Sequence, residues 1–262
     1  MSTEMSTQRV LVSAGSSGIG KAIACAFQLA GAQVAICARG EEQLQAAQHE
    51  IQAMTGEPVR AYITDLTLAQ DISNMMDDLL EKWGAVDVLV NNAGGPPPGN
   101  HDSIGDEQWS TAFDLTLRSA VRLTNRVLPG MKDTGSGRII NLSSYSVKQP
   151  MDSMLLSNSL RLGALGWAKT LSNEVGKHNI LVNTICTGWT QTQRVDQLLE
   201  ARALEQGVDP KALANQLLAK IPLQRMARPE EIAAVAIFLA SPAASYITGA
   251  AIPVDGGCAQ TV

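Results

Sequence analysis

The chain has 262 residues, 45% of them hydrophobic and 17% charged, so it is long enough to bury a sizeable core and too apolar for a disordered protein. Its formal net charge of −5 and the absence of a Lys/Arg stripe argue against nucleic-acid binding, and no apolar run approaches the length of a membrane span. The 4 cysteines lack metal-ligand spacing, which predicts reduced thiols in a cytoplasmic protein without a metal site.

Short runs rich in Val, Ile and Leu alternate with longer stretches of helical periodicity. After a polar tail over 1–8, which we expect to be flexible, strands are predicted at 9–13, 33–38, 59–63, 86–91, 138–143, 180–185 and 250–254. Helices are predicted at 18–30, 41–55, 68–83, 106–132, 157–177 and 229–240, with a helical lid near 190–220. Near-continuous apolar strands separated by helices are typical of a parallel sheet covered on both faces. The sequence therefore predicts an α/β fold, a Rossmann-type doubly wound parallel sheet, in a single domain over 9–262.

The first predicted strand runs directly into a glycine-rich loop that opens the first helix. The loop reads Ser13-Ala14-Gly15-Ser16-Ser17-Gly18-Ile19-Gly20. Glycines at such a turn let the backbone approach a pyrophosphate, whose charge lies at the helix N-terminus. A tight strand-to-helix turn needs glycine in any case. The position of this loop after the first strand of an alternating chain is what favours a dinucleotide site.

The loop is similar to the Thr-Gly-x-x-x-Gly-x-Gly motif of short-chain dehydrogenases/reductases. Ser13 stands for the Thr, but Ala14 occupies the first glycine position and Gly15 comes one residue late. Further motifs of that family follow in the correct order: Asp65-Leu66, Asn91-Asn92-Ala93-Gly94, Arg228-Pro229-Glu230-Glu231 and Val254-Asp255-Gly256-Gly257. The chain thus resembles this family over essentially its whole length, and is similar to 3-oxoacyl-(acyl-carrier-protein) reductases within it.

The resemblance implies a nicotinamide dinucleotide cofactor. The positions that would contact it are Ser13, Gly15, Ser17, Gly18, Ile19, Gly20, Asp65, Leu66, Asn91, Ala93, Gly94, Arg161, Gly188, Thr190 and Thr192. Members selective for NAD usually carry an acidic residue after the second strand, where this chain has Arg39. An arginine there can pair with a 2′-phosphate, or it can be a solvated side chain that starts a helix. We expect NADP, with NAD as the alternative.

The resemblance departs from the family at the reacting centre. Ser144 stands at the family's serine, but its Tyr-x-x-x-Lys positions hold Ser157 and Arg161, and Thr116 stands where an asparagine is expected. A serine hydroxyl is far less acidic than a phenol, whose pKa is about 10, and a guanidinium stays protonated. Losing a positioned general acid typically costs on the order of 10²–10⁴ in rate. Tyr145, just after Ser144, is an alternative proton donor or else part of a pocket wall.

Three functions are compatible with these residues. The first is an NADP(H)-dependent oxidoreductase for a small carbonyl or alcohol substrate, 3-oxoacyl-like, with an atypical active site. The second is a non-redox enzyme on the same fold, such as a lyase, dehydratase or isomerase, and the third is a catalytically silent cofactor-binding protein. The retained cofactor motifs favour the first, whereas the changed Ser157/Arg161 pair favours the other two. We expect the first, and the family's paired helices imply a homodimer or homotetramer.

Overall fold

In the computed structural model, which describes residues 5–261, the apolar runs form one seven-stranded sheet. The strands are β1 (Arg9–Ser13), β2 (Gln33–Ala38), β3 (Arg60–Ile63), β4 (Val88–Asn91), β5 (Gly137–Ser144), β6 (Ile180–Thr187) and β7 (Ala251–Val254). All adjacent pairs are parallel, in the order β3-β2-β1-β4-β5-β6-β7. The predicted doubly wound parallel sheet is confirmed. Its order reverses between β1 and β4, which is where such sheets open a crevice for ligands.

Helices cover both faces of the sheet because successive strand residues point to opposite sides. The helices are α1 (Gly18–Leu29), α2 (Glu41–Thr55), α3 (Ala69–Trp83), α4 (Asp106–Phe113), α5 (Ser119–Thr134), α6 (Leu155–Val175), α7 (Gln193–Gln206), α8 (Pro210–Leu218) and α9 (Pro229–Ala240). Val10 and Val12 of β1 pack with Phe27 of α1 in one buried cluster, and α2 and α9 contribute to it. Leu11 points the other way, into a cluster built with α3, α5 and α6.

The helix predicted over 106–132 is interrupted. Between α4 and α5 the chain forms a π-helical turn over Asp114–Arg118, in which Arg118 Nη1 lies 2.8 Å from Asp114 Oδ1. Such a turn is rare and short within an α-helix, and the sequence pattern did not reveal it. The turn carries Thr116, one of the residues that the sequence assigned to the reacting centre.

Part of the tail predicted over 1–8 makes contacts with the folded domain. Residues 1–4 lie outside the described residues. Met5, however, is only 2% exposed, and its N–H donates to the Ala30 carbonyl at 3.0 Å. The Gln33 N–H likewise donates to the Gln8 carbonyl at 2.9 Å. Met5 is an apolar residue within a polar segment, and it packs in the same buried cluster as Phe27 of α1.

The region predicted as a helical lid forms α7 and α8. Gly207 ends α7 with a left-handed φ of 65°, and Asp209 caps α8 by accepting a hydrogen bond from the Lys211 N–H at 3.0 Å. Pro210 follows in the first turn of α8. Across residues 5–261, no helix is both long enough and apolar enough to cross a membrane.

Candidate active site

A cleft of about 470 Å³ opens at the carboxyl ends of the central strands, beside the reversal of strand order. Its walls come from the glycine-rich loop, the ends of β4, β5 and β6, the first turns of α6, and the start of α7. The residues that the sequence assigned and that line this cleft are Ser17, Gly18, Ile19, Gly20, Ala93, Gly94, Ser144, Ser157, Arg161, Gly188, Thr190 and Thr192. The structure therefore brings most of the expected site together.

The loop before α1 is built for close approach of an anion. Ala14, at the position where the family has glycine, adopts a left-handed φ of 46°, at a cost of about 1–2 kcal/mol for a residue with a Cβ. At Gly20 a Cβ would collide with the Ala14 carbonyl oxygen and lie 2.7 Å from Asn92 Nδ2. Ser17 makes no side-chain cap and the first turn of α1 carries no acidic residue. The N–H groups of this helix terminus therefore remain available to a pyrophosphate, which the loop fits.

Ser13 and Asn91 brace the sheet instead of lining the cleft. Ser13 Oγ donates to the Asn92 carbonyl at 2.7 Å and accepts from the Asn92 N–H at 2.9 Å, which ties β1 to the end of β4. Asn91 Nδ2 donates to Asn141 Oδ1 at 2.9 Å, across to β5. Both side chains are buried, so neither is placed to contact a cofactor directly. They instead fix the backbone that forms the wall of the cleft.

The expected adenosine contacts lie outside the cleft. Arg39 is exposed after β2 and has no ion pair among the described residues. Gly15, whose N–H donates to the Cys37 carbonyl at 3.0 Å, ties the loop to the end of that strand. Asp65 Oδ1 accepts from the Thr67 N–H and hydroxyl at 2.8 and 2.7 Å, and Leu66 is buried. Sequence reasoning missed one residue here, since Gln43 of α2 lines the cleft.

At the reacting end, Ser157 and Arg161 lie one turn apart on α6. Arg161 Nε donates to Ser157 Oγ at 3.2 Å, and Nη1 donates to the Leu142 carbonyl at 3.2 Å. Burial, reinforced by the positive charge of Arg194, lowers the pKa of Arg161, but the guanidinium remains charged at neutral pH. Ser144 ends β5, and its Oγ accepts from the Ser146 N–H at 3.1 Å. Because Ser157 Oγ accepts a charge-assisted hydrogen bond, its own proton is available for donation.

Beneath Arg161 lie polar atoms without a partner among the described protein groups. Thr116 Oγ1, Asn91 Oδ1, Asn141 Nδ2 and Ser143 Oγ are all buried in this way. They line two cavities of about 20 and 30 Å³, and Arg161 borders both. A cavity of roughly 10–15 Å³ holds one water when polar partners surround it, so both can hold ordered water. The structure thus places Thr116 in two small cavities that Arg161 also lines, and not in the main cleft.

Tyr145 lies outside the main cleft, in the wall of a neighbouring cavity, which is the second of the two roles expected for it. The chain turns after Ser144 into a short helical turn over Tyr145–Val147, and this carries the phenol into a neighbouring cavity of about 620 Å³. There its hydroxyl accepts from Trp189 Nε1 at 3.1 Å. Burial raises the pKa of Tyr145 to about 12. Its phenol therefore stays protonated and points away from the reacting serines.

Arg194 is a charged residue of the cleft that sequence reasoning missed. It stands in the first turn of α7, lines the cleft, and donates from Nη2 to the Pro96 carbonyl at 3.1 Å. The only available signal is its place two residues after Thr192, which the family resemblance had already assigned. The contact with Pro96 links the lid region to the loop that follows β4.

Comparison with known proteins extends the resemblance over the whole chain. The family described as Enoyl-(Acyl carrier protein) reductase matches residues 13–259. A 3-oxoacyl-(acyl-carrier-protein) reductase of Chlamydia muridarum is 34% identical over 259 residues, which span 99% of this chain and 100% of that protein. L-Sorbose reductase from Gluconobacter frateurii, solved with NADPH and L-sorbose, gives a TM-score of 0.95 at 31% identity, covering 100% of both chains. A 7α-hydroxysteroid dehydrogenase solved with NADH gives a TM-score of 0.89 at 29% identity, covering 99% of this chain and 97% of that one.

Proposed function

The chain belongs to the short-chain dehydrogenase/reductase family of oxidoreductases, and we propose that it exchanges a hydride between NADP(H) and a small carbonyl or alcohol substrate at an atypical active site. One observation carries the proposal: Ser144, Ser157 and Arg161 line the same cleft as the uncapped N-terminus of α1. A carbonyl bound between the two serines therefore lies in a cleft that also has a place for a pyrophosphate. The relatives described above are reductases and dehydrogenases, which gives no support to a lyase, dehydratase or isomerase.

The residues present fit a nicotinamide dinucleotide. When bound, this cofactor supplies or accepts the hydride. Gly18 and Ile19 at the start of α1 would hold its pyrophosphate, and Thr192 with Gly188 would meet the nicotinamide end. Arg39, exposed and without an acidic partner among the described residues, supports NADP over NAD, because a 2′-phosphate would supply the missing negative charge.

Ser157 is the proposed proton donor in this site. Its Oγ accepts from Arg161 Nε at 3.2 Å, which stabilises negative charge on that oxygen and leaves its proton to the substrate oxygen. Ser144 supplies a second hydroxyl to the same oxygen. Arg161 itself cannot relay a proton, since a guanidinium does not deprotonate in proteins. Ser157 lines the open cleft and neither of the water-sized cavities beneath Arg161, so its proton is replaced from water in the cleft.

The test is NADPH consumption with a panel of small ketones and 3-oxo esters. We expect turnover by the unmodified protein and a loss on the order of 10²-fold or more in Ser157→Ala, because a positioned acid contributes about 10²–10⁴ in rate. Tyr145→Phe is the matched control, since its phenol faces the neighbouring cavity, and its rate should stay within a few-fold of the unmodified rate. NADPH affinity, followed by its fluorescence, should be the same in all three proteins. Binding of NADPH without turnover of any member of the panel would contradict the proposal, and so would full activity in Ser157→Ala.

A further inference from the structure

The cleft has an unusual charge balance. The described residues that line it include two arginines, Arg161 and Arg194, and no aspartate or glutamate. The chain as a whole carries a formal net charge of −5, so this positive cleft is not a consequence of a basic protein. Neither guanidinium has an ion-pair partner among the described residues. Arg161 is partly buried and Arg194 is exposed, and a second positive charge beside a desolvated guanidinium is unfavourable unless an anion joins them.

The two guanidiniums reach the same cleft from different helices. Arg161 projects from α6, where the Ser157 hydroxyl and the Leu142 carbonyl occupy its Nε and Nη1, which leaves the hydrogens of Nη2 for a ligand. Arg194 projects from the first turn of α7 and has one neutral partner, the Pro96 carbonyl at 3.1 Å. The charge of Arg194 is close enough to lower the pKa of Arg161. Because both guanidiniums line this one cleft, a small anion bound there can interact with both.

We propose that Arg161 and Arg194 form a carboxylate site that makes this protein selective for short oxo acids, with the carboxylate one or two carbons from the reacting carbonyl. The proposal rests on the proposed function, because it takes the carbonyl oxygen to lie at Ser144 and Ser157. Arg161 Nε is 3.2 Å from Ser157 Oγ. A carbonyl oxygen at Ser157 and a carboxylate at the arginines must therefore belong to neighbouring parts of one small molecule, which a 2-oxo or 3-oxo acid satisfies.

The phosphates of the cofactor are the other source of negative charge in this cleft. The uncapped N–H groups of α1 already suit a pyrophosphate, and Arg39 suits a 2′-phosphate outside the cleft. Arg161 is held against Ser157 at the reacting end, and Arg194 lies within the range of its charge. This arrangement favours a substrate carboxylate as the anion that both arginines bind. The experiment distinguishes a substrate carboxylate from the cofactor phosphates.

The experiment compares pyruvate and 3-oxobutanoate with their methyl esters, which keep the carbonyl and lose the charge. We expect kcat/KM for the acids to exceed that for the esters by about ten- to a hundredfold, the range of a charge-assisted contact. Arg194→Gln should remove this preference by slowing the acids while leaving the esters within a few-fold. Arg194→Lys should keep part of it. Arg202→Gln is the matched control on the same helix, because Arg202 donates to the Asp152 carbonyl at 3.1 Å in the neighbouring cavity, and the preference should survive it.

A binding measurement independent of turnover completes the design. Oxamate, an unreactive analogue of pyruvate, should bind the NADP⁺ complex of the unmodified protein and of Arg202→Gln, and at least tenfold more weakly to Arg194→Gln. If oxamate binds in this way but no ketone or oxo acid is reduced, the carboxylate site stands and the proposed oxidoreductase function fails. If ketones and esters are reduced without preference for the acids, the function stands and the carboxylate site fails. The proposal would be overturned if Arg194→Gln lowered kcat/KM for acids and esters by the same factor and weakened NADPH binding by that factor as well. Arg194 would then be assigned to the cofactor phosphates.

Discussion

Arg161 connects the parts of the reacting centre. It holds the Ser157 hydroxyl through Nε, the end of β5 through the Leu142 carbonyl, and it borders the two water-sized cavities below. A lysine at this position would present one compact charge with rotatable donors, whereas the planar guanidinium fixes several partners at once. Relative to the lysine that the family resemblance implies at this position, Arg161 would be a group that orients its neighbours in place of one that can titrate.

The first residue-scale prediction concerns Arg39. If this exposed side chain pairs with a 2′-phosphate, NADPH should bind the unmodified protein about ten- to a hundredfold more tightly than NADH, as measured by nicotinamide fluorescence. Arg39→Ala should weaken NADPH binding and leave NADH binding unchanged, which makes NADH the internal control. Arg39→Asp should erase or reverse the preference. Equal affinities for the two dinucleotides in the unmodified protein would contradict the assignment.

The second residue-scale prediction restores the family pair. Ser157→Tyr with Arg161→Lys places a phenol at the carbonyl site with an ammonium able to lower its pKa, so ketone reduction should rise on the order of 10²-fold. Ser157→Tyr alone should give less, and Thr116→Asn added to the double variant should increase the rate further. Ser157→Phe with Arg161→Lys is the matched control for bulk, since Ser157 is buried. A double variant that binds NADPH normally and reduces nothing would show that the cleft does not align a carbonyl with the nicotinamide.

At the scale of elements, the loop between β1 and α1 has the tightest steric requirement in the site. A Cβ at Gly20 would meet the Ala14 carbonyl and the Asn92 amide, which themselves form a hydrogen bond of 3.1 Å that ties the loop to β4. The loop can therefore accept an extra methyl group only by moving the backbone that would approach the pyrophosphate. Ala14, in its left-handed conformation, already places some strain there.

Gly20→Ala should accordingly lower the free energy of unfolding by about 1–3 kcal/mol, the usual cost of overpacking, and weaken NADPH binding at least tenfold. Urea unfolding and fluorescence titration measure the two effects. Gly176→Ala is the control, since nothing lies within 4 Å of a Cβ there and its φ of −55° suits alanine. It should be neutral or slightly stabilising. Unchanged NADPH affinity in Gly20→Ala would refute the role given to this loop.

Much of this architecture is predictable from the sequence because it depends on local patterns. Apolar runs identified the strands, and the spacing of Ser157 and Arg161 by four residues placed them together on α6. Arg194 was not predictable, because its contact with Pro96 joins residues 98 apart in the chain and depends on how α7 packs. The choice between the two roles of Tyr145 was not predictable for a related reason: the turn after Ser144, not the sequence spacing, decides which cavity its ring enters.

At the scale of the whole molecule, α6 presents an outer face with room for a partner. Leu162 is 53% exposed there, and nothing lies within 4 Å of a Cβ built on Gly163 or Gly166. An apolar side chain beside two small residues gives a surface that a second helix can approach closely. The reacting pair stands on the inner side of the same helix, so an interface on its outer side would also hold Ser157 and Arg161 in place.

We therefore expect a dimer or tetramer at micromolar concentration by light scattering. Leu162→Glu should shift the mass toward the monomer, because it places a charge in the middle of the proposed interface. Leu204→Glu is the matched control, since Leu204 is 86% exposed on α7, away from that face, and the mass should not change. A monomer in the unmodified protein would rule out this role for α6.

The central claim is that a hydride passes between the nicotinamide and a substrate carbon in the cleft of Ser144, Ser157 and Arg161. The most direct measurement is mass spectrometry of the product formed from an oxo acid and NADPH that carries deuterium at the transferable position of the nicotinamide. We predict one deuterium on the new carbinol carbon, formed by the unmodified protein and lost in Ser157→Ala at equal NADPH occupancy. A product without deuterium, or no product from protein that binds NADPH, would contradict the account.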